Sequence, residues 1–196
     1  CSSRPSARGQ QDGMTDEQFG PWLDAVDERM RSELDCEEPE LPVKIMPHLY
    51  LGDAIAAEDV EGLKALGITH VLNAAHELEC ASPYAALGIK HHVLGGEDAR
   101  EYDMAQHVPV ARAFIEAARA EGGKVLVHCM AGVNRSGFLA AVELMLHEQL
   151  PVLHTLTRCF EARGLVLINR GFRLQLLRLA EQHGLLGSVG ELPSEY

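Results

Sequence analysis

One ten-residue segment, HCMAGVNRSG at 128–137, constrains this chain more than any other feature. It lies between an apolar run, KVLVH, that predicts a buried strand and a second run, GFLAAVELML, that predicts a helix. A cysteine, five residues and an arginine, with a glycine between them, form in this context a loop whose backbone N–H groups turn inward at a helix N-terminus. We therefore predict an anion-binding loop at this junction.

The residue types of the loop predict phosphate chemistry. A bound phosphate would meet the positive end of the helix dipole and the forked guanidinium of Arg135, which binds two oxygens at once. A cysteine thiol has an ordinary pKa of about 8.5, and a positive field of this kind can lower that pKa to roughly 3.5 to 7.5. We expect Cys129 to be the nucleophile and the intervening loop residues to contact the substrate: Met130, Ala131, Gly132, Val133 and Asn134.

Three neighbours complete the predicted loop. Gly132 allows the backbone conformations that other residues avoid and a close approach to phosphate. Ser136 either donates its hydroxyl to the thiolate sulfur and assists its departure, or caps the following helix, and both roles are compatible. We expect His128 to brace the loop by hydrogen bonding rather than to transfer protons.

The segment HCMAGVNRS resembles the signature of the cysteine-based protein tyrosine phosphatases, and LYLGDAIAAEDVEGLKALGITHVLNAA resembles the entry region of dual-specificity phosphatases. The resemblance runs from about Val43 to Leu185 and, by its compact size, matches an atypical stand-alone member. It implies a phosphatase-type fold and hydrolysis of phosphotyrosine and phosphoserine or phosphothreonine in phosphoproteins. The reaction would proceed through a phosphocysteine intermediate without cofactor or metal.

The family also places a general acid on a loop about thirty residues before the nucleophile. Here GGEDAREYDM offers Asp98, with Asp103 and Glu97 as alternatives. Asp98 lies 31 positions before Cys129, so we favour it. One carboxylate at this position can protonate the leaving oxygen and later activate water.

The resemblance assigns further positions in the last third of the chain. Arg163 corresponds to an arginine near the pocket of related enzymes, either for a second phosphate or as a surface charge. Asn169 and Gly171, in INRGF, fall where the family has a turn that opens its last helix, although the preceding proline is absent. We assign these two a structural role. Cys80 and Cys159 are expected to be inert thiols, although oxidation to a disulfide with Cys129 stays open.

The patterning predicts an α/β fold with a central, mostly parallel twisted sheet of about five strands flanked by helices, and with the phosphate loop between a central strand and a helix. We expect residues 1–42 to be an acidic extension with one amphipathic helix, 43–186 the catalytic domain and 187–196 a tail. The apolar spacing places that first helix from Thr15 to Leu34. Further helices are expected at 54–66, 104–120, 137–149, 151–162 and 172–183.

Charge and cysteine usage exclude several classes of function. The chain has 17 basic and 29 acidic residues, and residues 1–42 hold 4 and 11 of these. We therefore expect no nucleic-acid or membrane partner, and a possible protein partner for the acidic extension. Five cysteines without a CxxC pair, and no apolar run of about 20 residues, favour a cytoplasmic or nuclear protein.

Two other functions stay open. The Asn134–Arg135 pair also resembles mRNA-capping RNA 5′-triphosphatases of the same superfamily, which the acidic charge disfavours. A catalytically silent phosphoprotein-binding module would hold phosphate without cleaving it, and the intact nucleophile disfavours that. Lipid substrates are less favoured because the loop has no lysine.

Overall fold

The computed structural model describes residues 13–33, 38–76 and 84–189. These residues form one five-stranded sheet and seven α-helices. The strands are β1 (Val43–Met46), β2 (Leu49–Gly52), β3 (His70–Ala75), β4 (Lys90–Gly96) and β5 (Val125–His128). The helices are α1 (Gly20–Glu33), α2 (Ala54–Glu58), α3 (Val60–Leu66), α4 (Val108–Ala120), α5 (Arg135–Glu148), α6 (Val152–Arg163) and α7 (Arg170–Gln182).

The sheet has the order β1-β2-β5-β3-β4. Only β1 and β2 pair antiparallel; the other pairs are parallel. The central strand β5 is buried along its whole length, as its sequence VLVH predicts. The predicted mostly parallel α/β fold of about five strands is thereby confirmed.

Helices cover both faces of the sheet. On one face α5 is the central helix, buried from Arg135 to Leu146, and it packs against β2, β3 and β5 and against α4, α6 and α7. On the other face, a smaller cluster that includes Leu63, Val71 and Leu126 lies under α2 and α3. The segment after β5 therefore enters directly into the most buried helix of the molecule.

The helix predictions are correct in type, and the differences lie at their ends. The helix predicted over 54–66 is two helices, because Asp59 ends α2 and caps α3 by accepting a hydrogen bond from Gly62 N at 3.0 Å. The helix predicted from Met104 begins with a 3-10 turn, Met104–His107, and becomes α-helical at Val108.

The amphipathic helix predicted in the N-terminal segment is α1. It begins at Gly20 rather than Thr15, and Leu34 lies outside the described residues. Phe19 and Leu23 are fully buried in the main core, where α1 packs against α6 and α7. No helix in the described ranges is long and apolar enough to cross a membrane.

Candidate active site

The candidate site lies at the edge of the sheet where the parallel strands end. Ligand sites of parallel α/β sheets form at this edge, beyond the carboxyl ends of the strands. Three connections meet there: the turn from β2 into α2, the segment after β4 that carries Asp98, and the loop after β5, residues 129–134. The order of the strands therefore brings together residues that are far apart in sequence.

The loop after β5 holds the thiol of Cys129 against the start of α5. Ser136 Oγ donates a hydrogen bond to Cys129 Sγ at 3.1 Å, and both residues are buried. Ser136 is the second residue of α5, and Asn134 occupies the N-cap position. The Ser136 hydroxyl is thus directed at the sulfur and does not cap the helix.

Arg135 is the first residue of α5 and is only 4% exposed. Its Nη1 donates to the Gly96 carbonyl at 3.2 Å, at the end of β4. This contact ties the arginine to the strand that precedes the Asp98 loop. A guanidinium fixed at the N-terminus of the central helix adds to the positive helix dipole there.

Gly132 has the positive φ, 65°, that its predicted role requires. A Cβ on this residue would lie 2.9 Å from the Gly52 carbonyl oxygen, so the loop packs directly on the end of β2. Ala54 N donates to the Met130 carbonyl at 3.2 Å and joins the loop to the start of α2. The loop is thus held by backbone contacts on this side.

Asp98 is the acid that the fold brings to the loop. Its Oδ2 accepts from Asn134 Nδ2 at 3.0 Å, and its Oδ1 accepts from Asn169 Nδ2 at 2.9 Å. Of the three candidate acids, Asp98 alone has a hydrogen bond to a side chain of the loop 129–134 among the described residues. All three acids are exposed, so this hydrogen bond, and not burial, distinguishes Asp98 from Glu97 and Asp103.

Asn134 has contacts that the sequence did not reveal, since the sequence predicts it as a loop residue that contacts the substrate. Besides holding Asp98, its Oδ1 accepts from Asn169 N at 2.9 Å. Asn169 Oδ1 in turn accepts from Gly171 N at 3.0 Å and caps α7. The two asparagines therefore form one unit that joins the loop 129–134, the Asp98 segment and α7.

Gly171 has a steric role that its assignment to a turn did not specify. A Cβ built on Gly171 would lie 1.9 Å from the Arg100 carbonyl oxygen, far inside van der Waals contact. The absence of a side chain therefore lets α7 pack against the segment that carries Asp98. Gln175, one turn further along α7, holds the same segment through Ala105 N at 3.0 Å and the Tyr102 carbonyl at 2.8 Å.

Arg163 lies behind the loop and is 2% exposed, so the surface-charge alternative for this residue is wrong. Its Nε donates to the Gly132 carbonyl at 3.2 Å and its Nη2 to the Ala131 carbonyl at 3.3 Å. Its Nη1 also pairs with Glu38 at 3.4 Å. These bonds orient the loop carbonyls away from the anion side, while a direct contact of Arg163 with substrate stays a prediction.

His128 is 4% exposed, and neither ring nitrogen has a hydrogen-bond partner of good geometry among the described residues. A hydrogen bond with the Cys129 backbone still acts on the ring, so the bracing of the loop by His128 stays a prediction. Burial lowers the pKa of His128 from 6.5 to about 4, and the Cys129 backbone opposes this only in part. The imidazole is thus neutral at physiological pH.

Of the two other cysteines discussed above, the structure describes Cys159 and not Cys80. Cys159 is buried, and burial raises the pKa of its thiol to about 12, so it carries no thiolate near neutral pH. Cys129 and Cys159 are both free thiols. Cys80 lies outside the described residues, so its assignment as an inert thiol stays a prediction, with a disulfide to Cys129 as the open alternative.

Chemically, the site combines four functions within one edge of the sheet. A thiol lies next to a helix N-terminus, a guanidinium belongs to the first residue of the same helix, a hydroxyl contacts the sulfur, and a carboxylate is bonded by two amides, one of them from the loop. This set suits transfer of a phosphoryl group to sulfur with protonation of the leaving oxygen.

Comparison with known proteins supports the same reading. Residues 49–182 match the family model described as dual specificity phosphatase, catalytic domain. The chain is 41% identical over 139 residues to human dual specificity protein phosphatase 26, an alignment that covers 69% of this chain. It spans 65% of the length of that relative.

Solved structures give the same family. Human DUSP28 superposes with a TM-score of 0.64 at 30% identity, covering 74% of this chain and 97% of that one. DUSP15 superposes with a TM-score of 0.65 at 28% identity, covering 78% and 97%. The match with the family model includes both Asp98 and the loop 129–134.

Proposed function

This chain belongs to the dual specificity phosphatase family, and on that premise we propose that it hydrolyses phosphotyrosine and phosphoserine or phosphothreonine in phosphoproteins. The observation that carries the proposal is the hydrogen bond from Asn134 to Asp98. It joins the loop of the proposed nucleophile to the segment of the proposed general acid, which supports the action of both groups on one phosphate.

In the first step, the Cys129 thiolate attacks phosphorus and forms a P–S bond. The P–O bond to the substrate side chain breaks, and Asp98 gives its proton to the departing oxygen. Arg135 and the backbone N–H groups of residues 130–134 stabilise the charge on the three equatorial oxygens. In this scheme Arg163 holds two carbonyls of the loop in place. We also propose that Arg163 contacts a second phosphate on the substrate.

In the second step, water attacks the phosphocysteine, and Asp98 takes the proton from that water. The P–S bond breaks, phosphate leaves and the Cys129 thiolate is restored. The Ser136 hydroxyl, 3.1 Å from the sulfur, stabilises the negative charge that returns to it. The reaction needs no oxidant, cofactor or metal.

We also propose the organisation around this activity. Residues 43–186 would be the catalytic domain, with α1 of the segment 1–42 packed into the same core, and 187–196 a tail. Because the thiolate must stay reduced, we place the enzyme in the cytoplasm, with the nucleus as an alternative, and in signalling by dephosphorylation. The acidic segment 1–42 offers a surface for a protein partner.

The test is phosphate release by the whole purified chain in EDTA. The substrates are one peptide sequence phosphorylated on tyrosine or on threonine, and an RNA with a 5′-triphosphate. We expect release from both peptides and none from a Cys129→Ser control. Release from RNA alone would replace the proposal with the capping-type activity, and peptide binding without release would replace it with the silent binding module.

A further inference from the structure

A cluster of metal-ligating side chains lies at the end of the sheet opposite to the candidate active site. His48 is in the turn between β1 and β2, and Glu143 and His147 are one turn apart near the C-terminal end of α5. One donor atom of each residue lies within 4.8 Å of the other two. The catalytic scheme uses none of these three residues.

Two carboxylates lie at this cluster, those of Glu143 and Glu116. Each of them has one oxygen hydrogen-bonded to an arginine. Arg112 Nε donates to Glu143 Oε2 at 2.9 Å, and Arg119 holds Glu116 Oε2 through two hydrogen bonds of 3.0 and 2.7 Å. The other oxygen of each carboxylate lies near His147. His147 Nδ1 is 3.3 Å from Glu116 Oε1 and 3.7 Å from Glu143 Oε1.

Glu143 Oε1 is the independent observation that points to a ligand. The Glu143 side chain is completely buried, and this oxygen has no hydrogen-bond partner among the described residues. At 3.7 Å, His147 Nδ1 is too far to supply one.

His48 adds a second buried atom without a partner, its Nε2. The rings of His48 and His147 are 5.3 Å apart between centroids. Both histidines also line an open cavity of about 500 Å³, so that an ion has access from solvent. The cluster therefore combines buried, unsatisfied donor atoms with a route to them.

His147 Nδ1 and Glu116 Oε1 share a hydrogen bond of 3.3 Å, and the spacing of the donor atoms in the cluster also suits a small divalent ion. With bonds of about 2.0 to 2.2 Å, two ligands of a tetrahedral zinc ion are about 3.3 to 3.6 Å apart. The separations of His147 Nδ1 from the two carboxylate oxygens are close to this value, and the half-exposed histidines can close the remainder by side-chain rotation. Imidazole nitrogens with carboxylate oxygens are also a donor set that zinc prefers.

We propose that His48, Glu143 and His147 bind a zinc-class divalent cation, with Glu116 or water completing the tetrahedron. The ion would join the β1–β2 turn to the C-terminal end of α5, the helix whose N-terminal end carries Arg135. Arg112 would remain hydrogen-bonded to the second oxygen of Glu143 and orient it. The role is structural, since the site is separated from Arg135 by two turns of α5 or more.

The test uses the untagged full chain with Cys129→Ser, so that zinc has no catalytic thiol to bind. After EDTA treatment and its removal, zinc chloride is titrated calorimetrically and the melting temperature is measured with and without zinc. We expect about one zinc per chain and a higher melting temperature with zinc. His48→Ala and His147→Ala should each abolish both effects, while His183→Ala, which removes an exposed histidine directly after α7, should retain them.

The absorption spectrum with cobalt(II) is a second measurement, and its outcome does not depend on whether the histidine variants fold. The Cys129→Ser chain loaded with cobalt should show the visible bands of a tetrahedral ion without the near-ultraviolet charge-transfer band of sulfur ligation. A sulfur band would assign the ion to another cysteine and overturn the proposal. Absence of saturable zinc binding, or binding that survives both His48→Ala and His147→Ala, would overturn it equally.

Discussion

Asn134 Nδ2 lies 3.0 Å from Asp98 Oδ2, and this hydrogen bond connects the loop that carries the thiol with the segment that carries the acid. Asn169 holds the other oxygen of the same carboxylate at 2.9 Å. Two amides from different parts of the chain therefore fix the position of one carboxylate. The proposed acid is oriented before any substrate binds.

The first prediction concerns Asn134→Ala. Without this amide the Asp98 carboxyl group is positioned by Asn169 alone, and misplacement of the acid should lower kcat/KM for a phosphothreonine peptide by about tenfold or more. The effect on p-nitrophenyl phosphate should be much smaller, because nitrophenolate leaves without a proton. Steady-state kinetics with both substrates measure the difference.

A matched control for this variant is Gln182→Ala, which removes an exposed amide at the end of α7. It should leave both rates unchanged. An equal loss on both substrates in Asn134→Ala would mean that Asn134 supports the loop as a whole rather than the acid.

The second prediction compares Asp98→Asn with Asp103→Asn. Removal of a general acid costs about 10² to 10⁴-fold, so Asp98→Asn should lose this much on the phosphothreonine peptide and far less on p-nitrophenyl phosphate. Asp103→Asn should resemble the wild type on both substrates. If Asp103→Asn shows the dependence on the leaving group, the choice of acid is wrong.

The fold could be predicted from sequence to the level of its strands, because buried strands such as VLVH are continuous apolar runs between turn residues. The loop 129–134 could be predicted because its chemistry is contained in ten consecutive residues. The contacts of Asn134 and Asn169 with Asp98 could not, because they join positions 36 and 71 residues apart. Side-chain pairing over such distances depends on how α7 packs.

Burial explains the other differences. Arg163 was left open between a pocket arginine and a surface charge, because sequence does not show which side of α6 faces the loop. The sequence indicates the proposed zinc cluster only weakly, through a glutamate and a histidine four residues apart on one helix: Glu143 and His147. Its third member, His48, is nearly a hundred positions away in the sequence.

The third prediction concerns Gly171→Ala. The added methyl group would meet the Arg100 carbonyl, so α7 or the Asp98 segment must shift. Overpacking of this kind costs about 1 to 3 kcal/mol in the free energy of unfolding. Denaturant unfolding measures this loss, and the phosphothreonine rate should fall more than the p-nitrophenyl phosphate rate.

Gly20→Ala is the matched control, because a Cβ at Gly20 has no heavy atom within 4 Å. This variant should unfold at the wild-type denaturant concentration or slightly above it. Unchanged stability in Gly171→Ala would contradict the close packing of α7 on the acid segment.

The fourth prediction is a dependence of stability on pH. The pKa of His128 is about 4 in the folded protein, below the ordinary 6.5 of a histidine in the unfolded chain, so the unfolded chain binds its proton first as pH falls. The contribution is fully present above pH 6.5 and is lost progressively down to about pH 4. A shift of this size corresponds to about 3 kcal/mol.

Melting temperatures of wild type and His128→Asn across this range check the prediction. The pKa values of His48, His70 and His107 are also lowered by burial, so the slope of the wild type includes their contributions. Only the difference between the two proteins isolates His128. Parallel curves would contradict the assignment of a buried neutral imidazole at this position.

The central claim is that phosphate passes through Cys129. The most direct measurement is rapid quenching of Ser136→Ala during turnover of a phosphotyrosine peptide, followed by mass spectrometry of the peptide that contains Cys129. Because this variant lacks the hydroxyl that contacts the sulfur, breakdown of the intermediate should slow and the intermediate should accumulate. We predict one phosphoryl group on Cys129; turnover without any phosphoryl group there, or turnover by Cys129→Ser, would contradict the account.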